Sequence, residues 1–451
     1  MSSAGQDITD VQERIEMLVR SGDTTGLSEA VRDLHPSDVA DVVEALDEEQ
    51  RVALLSALPP DLASETLTEM EEGDERADLL SSLAPHKGAE LLHEMADDDA
   101  ADLIGALYPD EQKRILAALP VEEAGDLRGL LLYDEETAGG LMTTELVSVQ
   151  ASLTAHEALE AVRIQGREVE DFYTVFVVDE RNRLVGTVRL DDLVTADPDD
   201  LVSNLAEAPV ASVLPDVDQE EVGKLISRYN LAAIPVVNEF GVLLGRITFD
   251  DVIDVIEAEQ TEDILRMAGV SDEEELRAGW PEAVRQRLPW LLVNLVTAFL
   301  AGLVPYFFGE TIQNAVILAS FMPVIAGMGG NTATQALAVT IRRLALADRP
   351  GEYLTMVRKE VLVGVVNGLA IGLATALVAA VVPGGDPRLG LVVLLSMWGN
   401  MGVAGLAGSV IPTMLDRLGV DPAIASSVFV TTLTDLCGFL LLLGLASAVL
   451  L

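Results

Sequence analysis

Near its C-terminus the chain reads SVFVTTLTDLCGFLLLLG, an apolar run holding a single carboxylate, Asp435. A charged side chain at bilayer depth costs about 3 kcal/mol or more, so it should face water or a partner. No Lys or Arg lies within any apolar run to neutralise it. Thr431 and Ser427 precede it by four and eight residues, which places the three on one helical face. A second apolar run carries GMGGNTATQALAVTIRR, residues 327–343. Gly327, Gly330 or Asn331, and Thr334 share a face there. Glycines allow close helix approach and can expose backbone carbonyls. Asn331, Thr334 and Gln335 add neutral oxygens, and Asn400 lies in a third such stretch, WGNMGVAGLAGS. Oxygen atoms with one negative charge suit a hard cation and not an anion. The plainer readings are a protonated Asp435 in a helix contact and simple packing for the glycines.

These residues need membrane helices to hold them. Apolar runs lie near 290–308, 313–341, 360–382, 389–415 and 423–450. Each is long enough for a ~30 Å hydrocarbon layer, which takes about 20 helical residues. Arg285 and Arg287 precede the first run, and Arg342, Arg343, Arg349, Arg358 and Lys359 separate the second from the third. The 309–312 turn has no base, the next outer loop has only Arg388, and Arg417 follows the fourth run. Positive charge marks the inner side, so the N-terminus is expected in the cytoplasm and the C-terminus outside.

The rest of the chain is acidic. The net charge is -46 over 451 residues, yet the residues after 280 carry nine acids and nine bases. Of 74 acids and 28 bases, the first 280 residues therefore hold 65 and 19. Such a surface repels nucleic acid and attracts cations. Only four of the bases are lysines (Lys87, Lys113, Lys224, Lys359), so adaptation to high salt is an equal explanation of the acidity. One cysteine, Cys437, rules out an internal disulfide, and four scattered histidines make a zinc site improbable. The start, MSSAGQDITD, lacks the basic and apolar character of a signal peptide. No nucleophile–base set or catalytic metal motif points to an enzyme.

Two repeats organise the acidic part. Leu34, Leu58, Leu83 and Leu107 recur every 24 to 25 residues, with Pro36, Pro59, Pro85 and Pro109 opening helices. Short helices repeating so are expected to stack into an all-α superhelix, the alternative being a generic bundle. Further on, FVVDERNRLVGTVRLDDLV from residue 176 aligns without gaps on residues 235–253 at an offset of 59. Gly186 matches Gly245, and Asp191 and Asp192 match Asp250 and Asp251. Each unit reads as strand, turn, strand and a helix opened by Asp, with an amphipathic helix upstream. The order resembles a tandem pair of CBS domains, an α+β fold that often binds adenine nucleotides. The ribose-holding pattern Gly-x-x-Thr/Ser-x-x-Asp survives as Gly245, Thr248 and Asp251, whereas the first unit has Arg189 in the hydroxyl place. At most one nucleotide site, for ATP at Thr248 and Asp251, is implied, and a purely structural pair is the equal alternative.

PVIAGMGGNTATQALAVTIRR, TLTDLCGF, the CBS pair, the helical repeats and the five runs together resemble the MgtE family of magnesium channels, over nearly the whole chain. That resemblance implies a homodimer whose two membrane parts form the pore, with Asp435 as the pore carboxylate. It implies Mg2+ as both cargo and regulator, with cytosolic Mg2+ screening repulsion between acidic elements and closing the pore. Regulatory positions implied are Asp97, Asp98 and Asp99; Asp218 and Glu220; and Asp251, Asp254, Glu257, Glu259, Glu262 and Asp263 on a connecting helix. Asn230 stands where relatives often carry Asp, which weakens one such site. The expected domains are a helical-repeat domain (1–135), two CBS units (136–202 and 203–256), a plug-like connector (257–285) and a five-helix pore domain (286–451). Competing functions are a cation exchanger of related membrane fold and a CBS-regulated anion channel.

Overall fold

The structure, a computed structural model, describes residues 14–450 except 16, 20, 32–33, 71–73, 168, 170–171, 271–279, 347–352, 383–385 and 424–425. The chain divides into a front unit, Met1–Glu257, and a membrane unit, Ala258–Leu451.

The front unit opens with short helices in two rows. In one row α2 (Pro36–Glu44) packs on α4 (Pro60–Thr68), then α6 (Pro85–His93), then α8 (Pro109–Leu116). In the other, α1 (Thr24–Val31), α3 (Glu48–Ala57), α5 (Asp74–Ser82), α7 (Asp97–Gly105) and α9 (Glu123–Leu130) follow one another. Pro36, Pro85 and Pro109 open their helices, where a missing N–H is harmless. In α4 the opening proline is Pro60, and Pro59 becomes the cap. The leucines point inward because each short helix can bury its apolar face only on its neighbours.

The CBS pair follows. In the first unit β1 (Ser148–Gln150) pairs in parallel with β2 (Thr174–Val178), which pairs antiparallel with β3 (Leu184–Arg189). In the second, β4 (Ala233–Val237) pairs antiparallel with β5 (Leu243–Thr248). Both hairpins carry a register shift, at Val177/Val178 and at Val236/Val237. Both turn through a left-handed residue, Asn182 (φ 57°) and Gly241 (φ 75°). The upstream helices are α10 (Ala155–Gln165), opened by a capping box from Thr154, and, after α11 (Leu190–Thr195) and α12 (Val202–Leu205), α13 (Gln219–Tyr229). The second unit shares one apolar core with the helical repeats through Val222, Ile234, Val236 and Ile247. The first unit has a core of its own. The last helix of the pair, α14 (Phe249–Ala268), begins directly after β5. The connector expected to run to 285 partly falls on 271–279, outside the described residues.

The membrane unit is helical, as a lipid-spanning backbone must satisfy its own N–H and C=O groups. Among the described residues, four helices are long and apolar enough to cross a membrane, not the five expected. They are Ala283–Phe307 in α15 (Trp280–Phe307), α18 (Tyr353–Val381), α19 (Pro387–Arg417) and Ser427–Val449 in α20 (Ser426–Val449). Between α15 and α18 lie the short α16 (Gly309–Asn314) and α17 (Leu318–Leu346). At 29 residues α17 has spanning length, but its polar run from Asn331 to Gln335 lowers its apolar character. The helices approach closely at glycines. A Cβ on Gly408 of α19 would lie 2.5 Å from the Ala333 carbonyl oxygen of α17.

Candidate ion pathway and regulatory charge cluster

The pathway residues come from α17 and α20. Thr431 donates its hydroxyl proton to the Ser427 carbonyl at 2.8 Å, and Thr434 donates to the Thr431 carbonyl at 2.8 Å. These donors are spent on the helix, and the hydroxyl lone pairs remain as acceptors. Thr431 faces α17: a Cβ on Gly330 would meet its methyl at 3.8 Å. Asp435 is half-buried one turn further along, with no ion pair among the described residues. Gly327, Asn331 and Thr334 form an exposed stripe on α17, and nothing lies within 4 Å of where a Gly327 Cβ would be. Gly330 and Thr431 are thus brought together, while Gly327, Asn331 and Thr334 stay uncovered in a single chain. Asn400 differs from the expectation. It lines no open face but is wholly buried, its Nδ2 donating to the Ile325 carbonyl at 3.1 Å.

The acidic candidates of the front unit separate into local and long-range roles. Asp218 caps α13, accepting from the Glu220 N–H at 2.9 Å, and Glu220 pairs with Lys224 at 2.8 Å. Asn230 ends the same helix in the left-handed region (φ 50°), a place that asparagine fills readily. Asp254 and Glu257 are exposed on α14. In the membrane unit's part of α14, Glu259 and Asp263 are half-exposed, while Glu262 pairs with Arg266, which also pairs with Asp421. No three carboxylates, histidines or cysteines among the described residues are grouped to hold a metal ion.

Asp97, Asp98 and Asp99 form the first turn of α7, where backbone N–H groups favour negative charge. Asp97 accepts a hydrogen bond from Thr144. Asp98 is 8% exposed, and its Oδ1 has no hydrogen-bond partner. Burial pushes its pKa well above the ordinary range, and Asp251 and Asp99 push it further. Asp251 accepts from both the N–H and the hydroxyl of Thr248. Its pKa is raised, chiefly by burial, against the lowering effect of Thr248. Between these groups lies Arg246, 6% exposed, whose Nε donates to the Glu145 carbonyl at 2.8 Å. Burial lowers the Arg246 pKa, and Asp98, Asp251, Asp250 and Glu145 oppose that. Sequence reasoning missed Arg246. Its signal was a base inside the strand LLGRIT, at the place of Thr187 in the first unit.

The nucleotide pattern has a packing reason of its own. A Cβ on Gly245 would lie 2.6 Å from the Thr143 carbonyl, and one on Gly186 2.6 Å from that of Glu207. Each glycine admits a neighbouring backbone segment. In the first unit Arg189 pairs with Asp191 at 2.8 Å.

A helical-repeat domain, a CBS pair and apolar helices that carry the half-buried Asp435 define a divalent cation transporter, and the comparisons agree. Residues 322–445 match the MgtE model described as divalent cation transporter, 34–136 the MgtE intracellular N domain, and 138–199 and 202–258 the CBS domain. The Magnesium transporter MgtE of Enterococcus faecalis is 40% identical over 314 residues, 69% of each chain. That of Thermus thermophilus is 36% identical over 437 residues, 96% of this chain and 97% of the relative. Among solved structures, the cytosolic domain of the Mg2+ channel MgtE in complex with ATP aligns at a TM-score of 0.52 and 36% identity, covering 54% of this chain and 99% of that one. The chain belongs to the MgtE family.

Proposed function

We propose that this protein carries Mg2+ across the cytoplasmic membrane past Asp435, and that Mg2+ on the inner side closes it. The observation that carries the reading is Asp435 itself, a half-buried carboxylate with no ion pair among the described residues, one turn from the Thr431–Gly330 contact. Mg2+ sheds water reluctantly, so a pathway of hydroxyl, carbonyl and carboxylate oxygens holds it through its hydration shell. Ser427, Thr431, Gly327, Gly330, Asn331 and Thr334 supply those oxygens in this reading. The uncovered stripe Gly327–Asn331–Thr334 is completed by a second copy, so the working form is a homodimer with two Asp435 side chains. The N-terminus lies in the cytoplasm and the C-terminus outside, following the placement of the basic loops.

Closure uses the front unit. Asp97, Asp98 and Asp99 with Asp251 are the inner sensing positions, joined by Asp254, Glu257, Glu259, Glu262 and Asp263 along α14. ATP binds at the second CBS unit through Thr248 and Asp251, a reading supported by the ATP complex of the relative's cytosolic domain. The test is Mg2+ uptake by vesicles holding the full-length chain, at varied internal Mg2+. Uptake that falls as internal Mg2+ rises supports the reading. Uptake that needs a sodium gradient would replace a channel by an exchanger, and chloride flux without Mg2+ flux would overturn cation transport.

A further inference from the structure

Asn400 is placed where α17, α19 and α20 meet. It is 0% exposed, on α19, which packs against both other helices. Its Nδ2 donates to the Ile325 carbonyl of α17. A carbonyl only accepts, so the amide nitrogen must face it and Oδ1 must turn away. That Oδ1 is buried without a hydrogen-bond partner. Two glycines make room for the amide. A Cβ on Gly438 of α20 would lie 2.8 Å from Nδ2, 3.2 Å from Cγ and 3.1 Å from the Ile325 Cγ2. A Cβ on Gly329 of α17 would lie 3.2 Å from Cγ, clash with Nδ2, and lie 3.4 Å from the Thr434 Cβ. The amide therefore fills the gap between α17 and α20 like a wedge. The pathway is adjacent on both helices: Gly330 follows Gly329, and Asp435 lies between Thr434 and Gly438.

Packing alone does not call for an amide here. An apolar side chain of similar volume would fill the gap without burying an unpaired oxygen, which is a cost. The amide adds a fixed separation, because its bond to the Ile325 carbonyl holds α17 at one distance from α19 while the side chain abuts α20. Resting on the Mg2+-transport reading above, we propose that Asn400 is a positioning residue of the ion pathway: its amide, wedged between Gly329 and Gly438, sets the spacing of α17 and α20 and so the size of the hydrated ion that passes Asp435. A hydrated Mg2+ with six rigid ligands and a larger, loosely coordinated Ca2+ are told apart by such a gap.

The test uses the full-length chain in vesicles and compares initial Mg2+ and Ca2+ uptake per folded molecule. Asn400→Ala removes the wedge and should lower the Mg2+ to Ca2+ uptake ratio by about tenfold. Gly438→Ala pushes against an intact wedge and should cut Mg2+ uptake by about tenfold, and adding Asn400→Ser should recover most of that loss. A purely structural asparagine would change the amount of folded protein and leave the ratio per folded molecule unchanged, which would overturn the proposal. Should Asn400→Ala fail to fold, the Gly438→Ala and Asn400→Ser pair decides: recovery supports the wedge, and additive loss overturns it. Wild-type vesicles that take up no Mg2+ would overturn the transport reading, and the wedge with it.

Discussion

The two units bury polar groups in opposite ways. In the front unit, buried charge meets charge: Arg246 lies among Asp98, Asp251, Asp250 and the Glu145 carbonyl. In the membrane unit, apart from the buried Glu360 beside Lys359, the hydroxyls of Thr340, Ser396, Ser409 and Thr413 each donate to the carbonyl one turn back, and Asn400 donates to a carbonyl of the next helix. A charged cluster responds to ions and pH, whereas a backbone-satisfied helix core does not. That contrast favours the front unit for the proposed sensor and the membrane unit for a passage of fixed width.

Four measurements test that contrast. Asp435→Ala removes the one carboxylate of the last span and should reduce Mg2+ uptake by about 100-fold or more while the protein still elutes as folded material. Normal uptake by that variant would remove the pathway assignment. Arg246→Met leaves Asp98 and Asp251 buried without their cation. Breaking a buried pair on one side costs about 3 kcal/mol, to be read from urea unfolding of the front unit's signal in Mg2+-free buffer. Added Mg2+ should restore part of the loss.

The pH dependence has a definite sign. Asp98 and Asp251 both have raised pKa values, so the folded state binds more protons than the unfolded one. Their contribution to stability is present below the ordinary carboxylate pKa and is lost as pH rises through the raised values. Without divalent cations, thermal stability of the front unit should fall as pH climbs toward neutrality. Asp98→Asn should flatten that profile and stabilise the unit at neutral pH by about 1 kcal/mol. A variant with the same slope as wild type would show that Asp98 does not titrate there. The smallest effect is expected at Asp218, whose visible contact is a helix cap. Asp218→Ala should cost about 1 kcal/mol and leave the internal Mg2+ concentration for half-closure unchanged; a shifted midpoint would promote Asp218 to a sensing position.

Local signals were legible and long-range partners were not. Leucine spacing and helix-opening prolines announce stacked helices, because each unit's burial depends only on its neighbours. The lone carboxylate of Asp435 is visible because apolar residues surround it along the chain. Arg246 escaped notice because Glu145 is 101 residues away and Asp98 still further, and nothing in LLGRIT tells which segment crosses that strand. Asn400 groups with the pathway in the sequence because its helix carries small residues on several sides. Periodicity places a residue on a helix face but does not say which helix that face meets. The same polar run that marked α17 as chemically active also removed it from the plainly apolar spans.

The register shift at Val177/Val178 and the one at Val236/Val237 are 59 residues apart, and so are the left-handed residues Asn182 and Gly241. A kink shared at the offset of the sequence repeat makes the two hairpins one geometric part used twice. The strand after each turn carries different residues: the first holds Thr187 and a surface Arg189, the second a buried Arg246 and Thr248. The same bend thus serves a surface ion pair in one unit and a buried charge in the other.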